Sequence, residues 1–454
     1  MPAMNERASA IAFPPSRAAW LLVALLMIAY VFSYTDRVIL SILVEPIKED
    51  LSLTDFQIGL LLGPAFAIFY ATMGLPFGWL ADRYRRTWII GGGFLLWSLA
   101  TVASGLARNF TQLFAARMSV GVGEATLSPC AMSLIADSFP RERRGKPIAV
   151  YSMGIVLGSS VAFLMGAFVL GWTRHAELPA LPVVGALEPW QVVFLAIGAA
   201  GLLPALPFLV MREPRRMLGQ SVDASLEGKG MTDVLRYVGR NWKVYASFMT
   251  LICLMTTVAY AGYWNPAMFD RTFGWSGEKY SLINGIVTLP VGLPVYWIAG
   301  WLSDRYTARG NRAAPLTIVI VGTLIMLPLY TLTPLMPDGT TAFIVLTVGG
   351  IGIMAITAVS VTALLNITPA AIRGQMVALY YMTMSLCGLF VGPTTVGFLS
   401  QQVYGEDRLN LALASVPVIY GIIPVLLIPI TRRLYNQHMA RLSVEIDEAA
   451  GTQK

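Results

Sequence analysis

Gly78-Trp79-Leu80-Ala81-Asp82-Arg83-Tyr84 recurs as Gly300-Trp301-Leu302-Ser303-Asp304-Arg305-Tyr306, with six of seven residues identical. Each copy closes an apolar run of membrane-spanning length and opens a basic loop. A chain that repeats itself over this distance is built from two related bundles. The repeat extends beyond the motif. Pro140-Arg141-Glu142-Arg143-Arg144-Gly145 matches Pro369-Ala370-Ala371-Ile372-Arg373-Gly374 at an offset of 229. The same offset carries Gly121 and Gly123 onto Gly350 and Gly352, Ala149 onto Ala378 and Tyr151 onto Tyr380. The first motif repeats at 222, so an insertion or deletion lies between the two registers.

Composition sets the solvent. Of 454 residues, 56% are hydrophobic and 13% charged, with a mean hydropathy of +0.65. Water-soluble domains carry roughly 25% charged residues, so the chain is read as an integral membrane protein. The formal net charge of +7 is read as bias in the membrane loops, not as a nucleic-acid footprint. Cys130, Cys253 and Cys387 lie far apart inside apolar runs, and His175 and His438 fall in a loop and a tail. This leaves no disulfide framework, metal spacing or histidine-based catalytic site. The first apolar run is long and continues into Tyr34-Thr35-Asp36-Arg37, as a retained span does.

Apolar runs near 18–43, 56–80, 87–107, 110–136, 148–172 and 190–211 give six spans. Runs near 243–269, 280–302, 314–336, 341–366, 371–400 and 409–431 give six more. The fold class is therefore all-α: twelve transmembrane helices in two pseudo-symmetric six-helix bundles. The expected parts are a tail at 1–17, a first bundle at 18–211, a linker at 212–242 with one surface helix, a second bundle at 243–431 and a tail at 432–454. Of 32 basic residues, 24 lie in the tails, the loops after even-numbered spans and the short turn at Arg373. The positive-inside rule then puts both termini in the cytoplasm.

These residues resemble the major facilitator superfamily. Gly78-x-Leu80-Ala81-Asp82-Arg83-x-Arg85-Arg86 is similar to its signature after span two, with Arg85 where that pattern has glycine. Arg117-x-x-x-Gly121-x-Gly123 is similar to its span-four signature. Tyr34-Thr35-Asp36-Arg37 and Gly121-Val122-Gly123-Glu124-Ala125 further resemble the Spinster-like group. That resemblance implies transport of sphingosine phosphate or lysophospholipids by alternating access, in several members linked to protons. The antiporter motif of span five is partial, with Gly154 and Gly158 present and Ser159 in place of proline, which leaves direction open. The resemblance also implies a cytoplasmic gate made by Gly78, Asp82, Arg83 and Arg86 with Gly300, Asp304 and Arg305. A carboxylate at such a span end can face the positive N-terminus of a helix in the other bundle.

Four ionisable residues lie inside spans: Asp36, Arg37, Arg117 and Glu124. Each is costly against lipid, so all four are expected to face the interior. Arg117 and Glu124 are seven residues apart and share one helix face, and Asp36 lies at a level that Arg117 can reach. A carboxylate held between burial and a guanidinium changes its proton affinity when the partner moves. Asp36 and Glu124 are thus the expected proton-coupling pair, with Arg37 and Arg117 as ion-pair partners or headgroup contacts. The competing reading is a permanent ion-pair network that only fixes the first bundle.

The halves diverge here. At the offset of 229, Asp36, Arg37, Arg117 and Glu124 map to Asn265, Pro266, Leu346 and Ile353. The second half instead offers Tyr260, Tyr263, Trp264, Asn265, Tyr380 and Met384 as a cavity wall. Pro266 makes span seven a candidate broken helix. One charged wall and one apolar wall suit an amphiphile with a polar head and an acyl tail. The expected function is proton-linked secondary transport of a lysophospholipid or sphingolipid-like molecule. The alternative is a carrier or exporter of another amphipathic compound or drug, and a third class is a non-transporting membrane sensor. Enzymatic chemistry is not expected, since no nucleophile–base arrangement or phosphate-binding loop is present. The expected partners are the substrate, protons and membrane lipids, with no cofactor, metal or nucleic acid. The expected setting is a bacterial inner membrane, as a monomer.

Overall fold

A computed structural model describes residues 14, 16–140, 143–173, 180–181, 185–214, 231–369 and 372–451. His175 and most of the linker between the halves lie outside the described residues. The described chain is almost wholly helical, as lipid demands of backbone groups that cannot reach water. Among the described residues, eleven helical segments are long and apolar enough to cross a membrane. In the first half they are Ser16–Ile42, Asp55–Gly74, Arg86–Gly105, Gly145–Thr173 and Pro189–Val210. In the second they are Trp242–Phe273, Gly277–Ala308, Ala314–Leu335, Gly339–Asn366, Gln375–Tyr404 and Glu406–Leu442.

The twelfth span is present in two pieces. Span four runs as Phe110–Glu124 and Leu127–Ser138, interrupted at Ala125 and Thr126, so neither piece alone is long enough to cross. Span seven is broken as Pro266 requires. Trp242–Ala261 gives way to a 3-10 turn at Gly262–Trp264, and Asn265–Phe273 restarts with the proline in its first turn, where its missing N–H costs nothing. Span eleven contains two π-helical stretches, Ser385–Val391 and Ser400–Tyr404.

Caps follow the repeat. Thr54 Oγ1 accepts from the Gln57 N–H and the Gln57 side chain returns the bond, closing a capping box at span two. Ser276, 222 residues on, caps span eight through the Lys279 N–H at 3.3 Å. Both copies of the repeated motif also lay arginine over tryptophan, Arg83 over Trp79 at 4.0 Å and Arg305 over Trp301 at 4.9 Å. An aromatic ring beside a snorkelling cation suits a membrane interface.

His438 is a correction to the sequence expectation. It is not in a loose tail, because the last helix runs on as Leu409–Gly451 and buries it. Its Nε2 lies 3.2 Å from Tyr237 Oη, on the linker helix Met231–Arg240, and 3.1 Å from the Ile367 carbonyl.

The apolar core is distributed unevenly. On the face opposite the repeated motif, one continuous cluster joins Val38–Leu62 and the Trp190 region of the first bundle to most of the second. On the motif face the first bundle keeps a separate cluster around Leu22, Ile90, Phe94, Leu134 and Phe208. The bundles are therefore welded at one face.

Candidate functional site

The four buried charges form two ion pairs, and adjacent residues of span one enter different pairs. Arg117 Nη1 donates to Asp36 Oδ2 at 3.0 Å, and Arg117 Nη2 donates to the Asp36 carbonyl at 3.3 Å. Thr101 Oγ1 of span three donates to the other Asp36 oxygen at 2.8 Å. Both charged side chains are almost completely enclosed. Every oxygen of Asp36 is thus used inside the first bundle.

Glu124 pairs with Arg37. Its Oε2 accepts from Arg37 Nε at 2.7 Å and from Ser33 Oγ at 2.5 Å, while its buried Oε1 has no hydrogen-bond partner. Arg37 keeps 10% of its side chain exposed, with its guanidinium carbon 4.7 Å from the Phe66 ring centre and 4.3 Å from that of Tyr70. Successive residues on a helix point about 100° apart, so 36 and 37 necessarily serve different neighbours. Each pair leaves one buried polar atom unbonded, Arg117 Nε in the first and Glu124 Oε1 in the second, but only in the second is a carboxylate oxygen left over.

The second-half residues divide in the same way. Tyr260 and Tyr263 meet edge to face at 5.4 Å and pack against the motif-face cluster, to which Leu389 of span eleven also belongs. Trp264 is fully buried and donates from Nε1 to the Pro393 carbonyl at 3.0 Å, tying span seven to span eleven. Tyr380 Oη lies 2.8 Å from Ser360 Oγ within the second bundle. Met384 Sδ accepts from Thr256 Oγ1 at 3.4 Å. Asn265 lines a small cavity inside the second bundle with Tyr330, Thr333, Leu346 and Pro417.

At the motif face, a side chain placed on Gly78 or Gly300 would meet nothing within 4 Å. Asp82 occupies the last turn of Pro64–Arg83, and Asp304, Arg83 and Arg305 are exposed. Arg86 is enclosed within the first bundle, bonded to Asp137 at 2.5 Å, Glu213 at 2.6 Å and Ser133 at 2.7 Å.

The opposite face carries a charge network that the sequence reading missed. Arg271 of span seven grips Asp55 of span two with both terminal nitrogens, at 2.7 and 2.9 Å, and Glu45 through Nε at 2.8 Å. Lys48 donates to Asp55 at 2.7 Å and to Glu406 at 2.6 Å, and Ser400 donates to Asp55 at 2.6 Å. Asp55 has no exposed surface and serves as the common acceptor for both bundles. Burial pushes the Glu45 carboxyl above the usual carboxylate range, against the pull of Arg271.

Beneath this network, spans two and eleven touch backbone to backbone. A Cβ on Gly59 would lie 2.9 Å from the Pro393 carbonyl oxygen, on Gly63 2.5 Å from that of Leu389, and on Gly397 2.4 Å from that of Asp55. At the equivalent seam between spans five and eight, a Cβ on Gly285 would meet the Leu164 side chain at 2.8 Å and its backbone nitrogen at 3.1 Å, and one on Gly292 would meet the Val156 side chain at 3.1 Å. The sequence signal for the network was available, since Asp55 directly follows a helix cap and carries a charge at a span end. It was passed over because only charges deep in the spans were weighed. Among the described residues, no group of three or more His, Cys, Asp or Glu could hold a metal ion.

Comparison with known proteins agrees with this fold. A family model described as Major Facilitator Superfamily matches residues 26–393. An MFS-type efflux pump of Mycolicibacterium smegmatis is 30% identical over 408 residues, covering 87% of this chain and 89% of its own length. The D-galactonate transporter of Escherichia coli is 25% identical, covering 92% and 98% respectively. Among solved structures, a bacterial homologue of the human lysosomal transporter Spinster, inward-facing and unoccupied, superposes with a TM-score of 0.77. It is 27% identical and covers 94% of this chain and 98% of its own.

Proposed function

The chain belongs to the Major Facilitator Superfamily, and on that premise we propose that it is a proton-linked secondary transporter of an anionic amphiphile of the lysophospholipid or sphingolipid type. The observation that carries this reading is the half-satisfied Arg37–Glu124 pair, whose guanidinium lies against the Phe66 and Tyr70 rings. Arg37 is permanently charged, and its planar guanidinium, set beside the stacked Phe66 and Tyr70 rings, presents its edge to a phosphate or carboxylate. An anion arriving there competes with Glu124 for Arg37. As that contact weakens, Glu124 loses the charge that keeps it ionised and takes up a proton, which links substrate to proton in one exchange. Asp36 and Arg117 hold spans one, three and four in register around it.

The motif face is the cytoplasmic one in this reading, and the welded face looks outward. The Asp55–Arg271 network then seals the outer side, and the two motif copies close the inner side in the alternate state. A second reading has specific support: the D-galactonate transporter aligns along nearly the whole chain. Its substrate is an anion that Arg37 would serve equally well, but one without an acyl tail. Flux into proteoliposomes decides between them. Uptake of a lysophospholipid that rises with an imposed pH gradient, and falls at least tenfold in Arg37→Ala and Glu124→Gln, is expected. Uptake of a sugar acid but no lysolipid would sink the amphiphile assignment, and rates indifferent to the gradient would sink the proton link.

A further inference from the structure

Two buried polar atoms near the boundary of the bundles carry no hydrogen bond: Glu124 Oε1 and Tyr263 Oη. They come from opposite halves of the chain and do not bond to each other. A buried polar atom without a partner is costly. Tyr263 sits in the 3-10 turn Gly262–Trp264, which lies against span one, the helix that supplies Ser33 and Arg37 to Glu124. Its ring packs against both apolar clusters. The other Glu124 oxygen is saturated by Ser33 and Arg37.

We propose that Glu124 Oε1 and Tyr263 Oη form a subsite that recognises a hydrogen-bond donor, a hydroxyl or an ammonium, carried by the substrate next to its anionic group. This deepens the proposed function and rests on its placement of the anion at Arg37. Glu124 Oε1 accepts the donor's hydrogen, as it can with the group ionised or with its proton on Oε2, and the phenol either donates to the same oxygen of the substrate or accepts a second hydrogen from an ammonium. The guanidinium edge of Arg37 takes the adjacent anion. The recognised unit is therefore a hydroxy- or amino-substituted phosphate or carboxylate. That chemistry occurs in a lysophosphatidic acid, whose free hydroxyl neighbours the phosphate ester, and in a sugar acid, whose hydroxyl neighbours the carboxylate.

The test uses matched pairs in proteoliposomes of the full chain: a 1-acyl glycerol phosphate against its 2-deoxy counterpart, and D-galactonate against its 2-deoxy counterpart. Wild-type protein is expected to favour the hydroxylated member of at least one pair by about tenfold or more in kcat/KM, because a site built for a hydroxyl rejects the analogue that lacks it. Tyr263→Phe is expected to bring the two members to within about threefold, chiefly by raising KM for the hydroxylated one. The oxygen removed bonds nothing in the protein, so the fold is retained, as monodisperse elution and an unchanged unfolding temperature would verify. Equal handling of both members by wild-type protein overturns the subsite while leaving the anion reading intact. A preference that survives Tyr263→Phe overturns the role of the phenol. Transport of neither pair overturns the anion reading and the subsite together. The pair that is transported separates a lipid source of the headgroup from a soluble one.

Discussion

The two bundles hold equivalent positions with opposite contents. In the first, Asp36 and Arg117 fill the space between spans one and four with an enclosed ion pair. In the second, the same positions are Asn265 and Leu346, and both border a small cavity. The fold therefore closes around this position without charge, and the ion pair is no packing requirement of the architecture. Within the first bundle a second contrast lies one residue away. Asp36 is fully bonded, whereas Glu124 keeps an oxygen unbonded. An enclosed pair whose carboxylate is fully bonded resists change, although Arg117 Nε has no partner, while a pair whose carboxylate is half bonded can exchange partners.

The largest expected effect comes from making the first bundle imitate the second by halves. Arg117→Leu strands the Asp36 carboxylate, and breaking a buried pair in this way costs about 3–5 kcal/mol. Thermal unfolding in detergent should register that loss, and Asp36→Asn with Arg117→Leu together should recover most of it. If the double variant is no better than the single one, the pair contributes something beyond charge balance. Glu124→Gln tests the second contrast in the other direction. It should lower gradient-driven flux at least tenfold and move stability by no more than about 1 kcal/mol, since isosteric changes at a half-bonded group remove little structure. A stability loss as large as that of Arg117→Leu would erase the distinction between the two pairs.

Filling the second bundle's void is a smaller change. Leu346→Met offers a longer, adaptable side chain to the cavity beside Asn265, and a gain of about 0.5–1 kcal/mol in the unfolding free energy is expected. A loss would mean that the cavity already has a structural occupant.

The smallest effect concerns the seal, where Glu45 faces Arg271, Lys48 and Asp55. Its carboxyl is raised in the welded form mainly by burial, so that form binds the proton more tightly than a form in which Glu45 meets water. By linkage, lowering the pH on that face through the raised value favours the seal, and raising it removes that increment. Labelling of a cysteine placed behind the seal should slow modestly on acidification, and Glu45→Gln should abolish the dependence. Faster labelling at low pH would reverse the assigned sign.

Much of this was legible in the sequence, for identifiable reasons. The apolar runs and the offset of 229 define the helices and their pairing, because lipid leaves the backbone no alternative to the helix. The broken span seven was legible because Pro266 cannot continue a helix. The break in span four has its own signal, Pro129, which lacks the N–H that would bond the Ala125 carbonyl four residues back, but the apolar run alone reads as one continuous span. Spacing placed Arg117 and Glu124 on one face, but it could not assign partners to Asp36 and Arg37. That choice depends on the rotation of span one about its axis, which only the assembled bundle fixes. Asp55 and Arg271 were overlooked for a related reason. A charge at a span end reads as solvated until another bundle covers it.

The π-helical stretch Ser385–Val391 bears on how the repeat itself can be used. Its i→i+5 winding shifts the angular phase of everything after it in span eleven, whereas the matching part of span five, within Gly154–Thr173, keeps α-helical phase. Pairing residues across the halves by a constant offset is therefore sound up to Tyr380 and misaligned beyond the stretch. A substitution transplanted from span five into the last third of span eleven by simple addition would land on the wrong side of the helix.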